Sequence, residues 1–386
     1  MKNDITERLM TIALSILILQ SLFRIFGLID NEFVDPTKFF EFTFFAVAFL
    51  SLRLENVGNI ILSFLIILSW ATVVLLSYLE DAPVYESIRA YKWLLYLVAI
   101  LCIGEQSKLR NAWLRKYYLT LLTSMTFFYT FLIFRDGFST RPQLLLENNY
   151  ECAFLIGLFV LNFSQRNLDF TRKNLAWNIA LVTTVILSGS RSALISLILV
   201  LSGIYLAHRN FSRLKIMGFI LSISTLIVAL LSWMIRGSSL QSVDRFVFLQ
   251  LFLHEYSLKS DISKLLGAWV INPLSSETCV KLRFYSVLQN DESLGSCFSV
   301  ILHSFILRSL YDFGLIGTLA IFFAYVWLLR RNLESTLVIC ITAIAIANSM
   351  SVSGINNVYV VMPACIALMM ENKSHILRKG AAPLTR

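Results

Sequence analysis

The sequence predicts an all-α protein, a polytopic bundle of transmembrane helices forming one membrane domain over residues 1–386. Three observations predict it. Apolar residues make up 57% of the chain and charged residues only 15%, whereas soluble domains run nearer about 45–50% and about 25%. The apolar residues gather in blocks and do not recur at amphipathic spacing. The connections between blocks alternate between basic and acidic.

The blocks set the helices. LMTIALSILILQSLF opens the first at Leu9, and VGNIILSFLIILSWATVVLLSYL fills Val57 to Leu79. Roughly 20 residues of helix cross a hydrocarbon core of about 30 Å. Such a segment must be helical, because lipid offers free backbone groups no partner. Hydropathy gives about twelve spans: 9–29, 37–52, 57–79, 88–104, 117–134, 150–165, 174–190, 192–207, 214–235, 305–329, 335–351 and 354–370. MKNDITERLM runs into the first block with no small-residue cleavage site, so Thr6 to Phe26 is expected to be an uncleaved first span.

Sidedness follows from the basic residues. With the N-terminus inside, the inner connections hold Arg53; Lys108, Arg110, Arg115 and Lys116; Arg166, Arg172 and Lys173; Arg209, Arg213 and Lys215; and Arg330 and Arg331. The outer ones carry Asp30, Glu32 and Asp35, then Glu80, Asp81 and Glu86. Both termini are therefore expected in the cytoplasm. The net charge of +9 is explained by this asymmetry, and no nucleic-acid partner is expected.

One outer connection is far longer than the rest, from about Arg236 to His303, inserted between spans nine and ten. Loops of this length are usually functional. VDRFVFLQLFLHEYSLKSD within it suits a helix lying at the membrane surface, or a packing element covering the bundle. Cys279 and Cys297 both fall in this loop and are a candidate disulfide if that side is oxidising. Cys102, Cys152, Cys340 and Cys365 lie in spans as buried fillers. No Cys/His spacing suggests zinc. Of four histidines, only His254 and His303 are on the outer side. His254 reads as a solvated surface residue; His303 sits where the loop re-enters the membrane.

Ionisable groups within spans are costly and are functional candidates by default. Arg191 is the sharpest, in LSGSRSALISL between two apolar runs. Ser188, Gly189, Ser190 and Ser192 around it are small and offer hydroxyls; an arginine snorkelling to the headgroups is the bland alternative. Arg308 and Asp312 stand four apart on one helix and are expected to pair. Arg24 and Glu41 are paired or snorkelling. Arg89 and Lys92, at the outer end of the fourth span, can meet headgroups or an anionic ligand. Arg245 opens the amphipathic loop segment.

Four segments together resemble the O-antigen polymerase and O-antigen ligase superfamily: LSGSRSALISL (187–197), QSVDRFVFLQLFL (241–253), KLLGAWVINP (264–273) and LHSFILRSLYDFGLIGTL (302–319). LLLENNYECAFLIG (144–157) resembles the family's middle span more weakly. The resemblance covers roughly the second half by motif. Two departures are Ser304, where the family often has asparagine, and Gly267-Ala268-Trp269, usually more glycine-rich.

The resemblance implies transfer of a glycan from an undecaprenyl diphosphate carrier to an acceptor on the periplasmic face of a bacterial inner membrane. The implied partners are that lipid-linked oligosaccharide, the bilayer, and a chain-length regulator and flippase of the same pathway. Arginine suits a diphosphate, being always charged and able to bind it in a fork. The expected roles are Arg191 and Arg245 on the diphosphate, His303 as general base, and Ser190, Ser192, Ser304, Arg89 and Lys92 on the substrate. The scheme needs no metal and no cofactor. A polymerase is favoured; a ligase transferring to lipid A core, and a lipid-linked glycan flippase, are the alternatives.

Overall fold

A computed structural model describes residues 2–28, 35–52, 57–103, 109–137, 141–145, 147–165, 174–207, 244–282 and 297–370. Among them the fold is all-helical and has no strand, only isolated bridges. In chain order the helices are α1 (Lys2–Ile25), α2 (Pro36–Leu50), α3 (Val57–Leu79), α4 (Val84–Cys102), α5 (Asn111–Asp136), α6 (Asn148–Ser164), α7 (Leu175–Leu187) and α8 (Arg191–Ala207). Three short helices follow, α9 (Asp244–Leu258), α10 (Asp261–Leu266) and α11 (Ser276–Leu282). The chain closes with α12 (Phe305–Arg330), α13 (Ser335–Ser351) and α14 (Val358–Met369). Eleven of the twelve apolar blocks coincide with helices; the block at 214–235 lies outside the described residues.

Among the described residues, four helices are long and apolar enough to cross a membrane: Asp4–Ile25, Val57–Leu79, Asn111–Asp136 and Phe305–Arg330. Their outward faces carry the apolar groups that lipid would cover, among them Phe64, Phe134 and Phe323. This supports a membrane-embedded helical protein.

The centre of the bundle is α6. Its residues from Asn148 to Asn162 are all buried, because α5, α8, α13 and α14 pack around it. Close approach to α14 depends on Gly157, where a Cβ would lie 2.4 Å from the Pro363 ring. Glu151, fully buried on α6, accepts hydrogen bonds from the amides of Leu144 and Leu145 and from the Tyr129 hydroxyl. It thereby pins the segment entering α6.

Contacts sort the helix ends into two groups. At one end Leu52 bridges Ile103 and Leu109 bridges Met370, and Arg110 pairs with Glu7. These are the connections assigned to the inner side. At the other end Tyr359 at the start of α14 meets Pro36 at the start of α2 (3.5 Å), and Asn356 hydrogen-bonds the Arg89 carbonyl on α4 (2.8 Å). These belong to the connections assigned to the outer side. The helices α9 to α11 cover this second end, where the amide of Ile271 donates to the Ser77 hydroxyl near the end of α3.

Candidate active site

A cavity of about 480 Å³ opens at that second end. Its wall comes from five stretches far apart in sequence: Asp35 to Glu41, Tyr85 to Lys92, Glu147 to Tyr150, Val300 to Arg308, and Ser353 to Asn357. Four cationic side chains line it, Lys38, Arg89, Lys92 and Arg308, with four carboxylates and His303. Of the residues expected to bind substrate, the cavity wall includes His303, Arg89 and Lys92.

The charges are not equivalent. Lys92 is committed to Glu41, which also accepts from the Tyr96 hydroxyl at 2.7 Å. Lys38 is exposed and 3.4 Å from Asp35. Arg89 is half-exposed and 3.7 Å from Glu86. Arg308 is different. It is buried, with 7% of its surface exposed. Its Nη2 donates to the Ala90 carbonyl at 3.1 Å, and its guanidinium stands 5.5 Å from the Phe305 ring centroid. A guanidinium carries five N–H donors, so most of its capacity remains for a ligand. Burying such a charge is expensive unless something else is gained.

His303 occupies a strained turn. Its φ of 53° and ψ of −36° lie outside the regions open to a residue with a Cβ. The Ser304 amide donates to the Leu302 carbonyl across it, which makes a γ-turn of the rare kind. Ser304 locks this turn from its C-terminal side. Its hydroxyl accepts from the Leu307 amide (3.3 Å), capping α12, and donates to the Ser349 carbonyl (3.0 Å). The imidazole is exposed and edge-on to Phe248 of α9, 5.3 Å between centroids. Ser304 thus holds His303 in place and is buried behind the cavity, in place of the expected substrate contact.

The SGSRS turn stands beside the cavity without lining it. Gly189 takes the left-handed φ of 61°, and the Ser190 hydroxyl caps α8 by accepting from the Ala193 amide (3.2 Å). The hydroxyls of Ser190 and Ser192 both donate to Asn149 Oδ1 (2.6 and 3.1 Å), and Asn149 Nδ2 donates to Glu147 on the cavity wall (2.6 Å). Both serines are buried and spend their hydroxyls on Asn149, so their place is behind the wall. Arg191 is half-buried in the first turn of α8, where a helix dipole disfavours a cation. It is not on the cavity wall, where His303 stands with Arg308. The backbone of Arg245 belongs to the first turn of α9; its side chain lies outside the described residues.

The loop is clamped to α12. Gly267 and Gly314 both have left-handed φ, 69° and 67°, and the second kinks α12. The amides of Ala268 and Trp269 both donate to the Asp312 carbonyl at 2.9 Å. The Asp312 carboxylate accepts from the Asn272 amide and Nδ2 (3.3 and 3.2 Å) and from the Ser299 hydroxyl (2.8 Å). The expected Arg308–Asp312 pair is not made: the carboxylate turns to the loop and the guanidinium to the cavity. Cys279 and Cys297 are bonded, S–S 2.08 Å. The Glu255 carboxylate accepts from the Ser275 and Thr278 hydroxyls and from Tyr311, which ties α9 and α11 to α12.

Sequence reasoning passed over Arg308, Glu86, Glu41 and Glu147 as site residues. Arg308 had a signal, an intramembrane arginine five residues after the one constrained outer histidine. In the sequence Glu86 reads only as part of the acidic bias of the outer connections. Among the described residues no cluster of His, Cys, Asp and Glu has the make-up of a metal site. No family model matches this chain, and no curated protein or solved structure matches it.

Proposed function

We propose that this chain is a polymerase that joins undecaprenyl-diphosphate-linked oligosaccharide repeats into a surface polysaccharide, on the extracytoplasmic face of a bacterial inner membrane. In this reading about twelve spans carry the site, both termini are cytoplasmic and residues 236–303 are the periplasmic cover. The observation that carries it is Arg308, a buried guanidinium with spare donors, on the same cavity wall as the exposed, strained His303.

The chemistry needs two things. The donor's diphosphate must be held and its departing charge stabilised, which preorganised cations in a water-poor site do well. Arg308 and Arg89 supply this, with Lys92 beside them; they replace Arg191 and Arg245 as the first choice for the diphosphate. The acceptor hydroxyl must lose its proton as its oxygen bonds the anomeric carbon. His303 takes that proton as general base. The bond from the anomeric carbon to the diphosphate oxygen breaks, and its electron pair leaves with the diphosphate. Diphosphate is a good leaving group and needs no general acid.

A deletion strain and its complementation test the reading. Loss of the gene should leave glycolipid with a single repeat, restored to long chains by the wild type and not by Arg308→Ala or His303→Ala at equal membrane abundance. Complete loss of transferred glycan would make the chain a ligase instead. Purified protein that moves lipid-linked sugar across liposomes and never joins two would make it a transporter.

A further inference from the structure

Glu86, a residue of the cavity wall, carries one buried side-chain oxygen that no protein group satisfies. Among the described residues, Glu86 Oε2 is the one buried polar side-chain atom on this wall without a hydrogen-bond partner. Its side chain is only 13% exposed. The other polar groups around it are engaged. Asn356 receives the Trp93 amide (2.9 Å) and donates to the Arg89 carbonyl (2.8 Å). Tyr150 receives the Ser353 amide (3.1 Å). Glu41 holds Lys92, and Glu147 holds Asn149. Arg89 reaches toward the other oxygen of Glu86 at 3.7 Å, and no ion pair joins Glu86 to Arg308.

A buried carboxylate oxygen left unpaired is costly, and in native proteins water, an ion or a ligand completes such a group. An ionised carboxylate only accepts, so its missing partner must be a donor. A diphosphate brings acceptors and negative charge, and cannot be that partner. A cation is disfavoured, because Arg89 and Arg308 already stand on the same wall. A neutral donor remains: water while the site is empty, and the hydroxyl or amide N–H of a sugar that displaces it. The wall then reads as two adjoining halves, guanidiniums for an anion and one orphan acceptor for a polyol, which is the polarity of a sugar diphosphate.

We infer that Glu86 is a specificity residue that accepts a hydrogen bond from the sugar attached to the lipid diphosphate. This rests on the reading of the cavity as a glycan-diphosphate site and names which wall group reads the sugar. Glu86 then sets affinity for the sugar-bearing lipid and leaves the bare lipid diphosphate to Arg89 and Arg308.

Two lipids separate these roles: a short prenyl diphosphate, and the same lipid bearing one N-acetylhexosamine. Each is titrated into the full-length protein in nanodiscs. Wild type should bind the sugar-bearing lipid more tightly. Glu86→Ala should lose about tenfold or more for that lipid, the scale of one hydrogen bond to a charged group, with the bare diphosphate unchanged or tighter. Glu86→Gln keeps the volume and should fall between. Equal losses for both lipids would make Glu86 merely structural, and no loss, or no wild-type preference for the sugar, would equally overturn the inference. Magnesium-dependent binding abolished in Glu86→Gln would make it a metal ligand and overturn it too. Wild type binding neither lipid would refute the functional reading itself, and this inference with it.

Discussion

Gly267 and Gly314 cross backbone to backbone. A Cβ on Gly267 would lie 2.2 Å from the Phe313 carbonyl carbon, and one on Gly314 would lie 2.5 Å from the Gly267 nitrogen. Both also hold left-handed φ. Alanine at either position therefore meets backbone atoms that cannot rotate away, on top of a strained conformation worth about 1–3 kcal/mol. Gly267→Ala and Gly314→Ala should each release the loop from α12 and abolish activity, with membrane insertion retained. Faster hydrogen exchange at the Ala268 and Trp269 amides is the readout. Unchanged exchange together with full activity would show that the crossing is dispensable.

The same clamp makes a prediction at Asp312. Removing its buried carboxylate strands the Asn272 amide and the Ser299 hydroxyl, and leaves Asn272 Nδ2 only the Val270 carbonyl. Asp312→Ala should cost about 2–4 kcal/mol of loop docking. Asp312→Asn should cost less, because the Ser299 hydroxyl can turn round and accept. Thermal unfolding of the purified variants checks the order; equal stability for the two would refute it.

Much of this was legible in the sequence, and the part that was not has a physical reason. Lipid forces helices on apolar blocks, so α1 to α8 and α12 to α14 stand where hydropathy puts them. KLLGAW and DFGLIG read as separate motifs in the sequence, and the structure makes them the two halves of one clamp. Pairing was less legible. Arg308 and Asp312 are four apart on a helix, which permits an ion pair but does not compel one. The preceding loop supplies Asp312 with better donors, Asn272 and Ser299, 40 and 13 residues earlier in sequence. The cavity itself joins five distant stretches, and no local pattern announces that Glu86 from one and Arg308 from another share a wall. Small polar residues drew attention to Ser190 and Ser192, yet their hydroxyls serve Asn149.

Acid should loosen the loop through Glu255. Burial pushes its carboxyl up, but hydrogen bonds from the Ser275 hydroxyl, the Thr278 hydroxyl, the Ser275 amide and Tyr311 outweigh this and hold it below the ordinary glutamate value of 4.5. A carboxyl lowered on folding contributes stability that is fully present above its unfolded value and is lost as pH falls through the folded one. The Glu255 contribution to loop protection should therefore be flat above about pH 5 and fall below 4.5 in the wild type. In Glu255→Gln this acid-dependent fall should shrink. Hydrogen exchange at the Ser275 amide against pH reads it, and identical profiles would refute the assignment.

The Cys279–Cys297 bond closes a sequence separation of 18 residues, worth about 3 kcal/mol by loop closure. Intact protein from membranes should leave four of its six cysteines open to alkylation after unfolding, Cys102, Cys152, Cys340 and Cys365. Cys279→Ser/Cys297→Ser should melt the loop at lower temperature. Six reactive thiols in freshly isolated membranes would contradict an extracytoplasmic loop.

The most direct measurement is product length from purified full-length protein given only a lipid-linked oligosaccharide repeat, with and without EDTA. The account predicts a ladder of multi-repeat lipids that persists in chelator. His303→Ala should slow it by about 10²-fold or more, and Arg308→Ala by about 10²-fold or more. Only the starting repeat in the wild type, or an undiminished ladder in either variant, would contradict it.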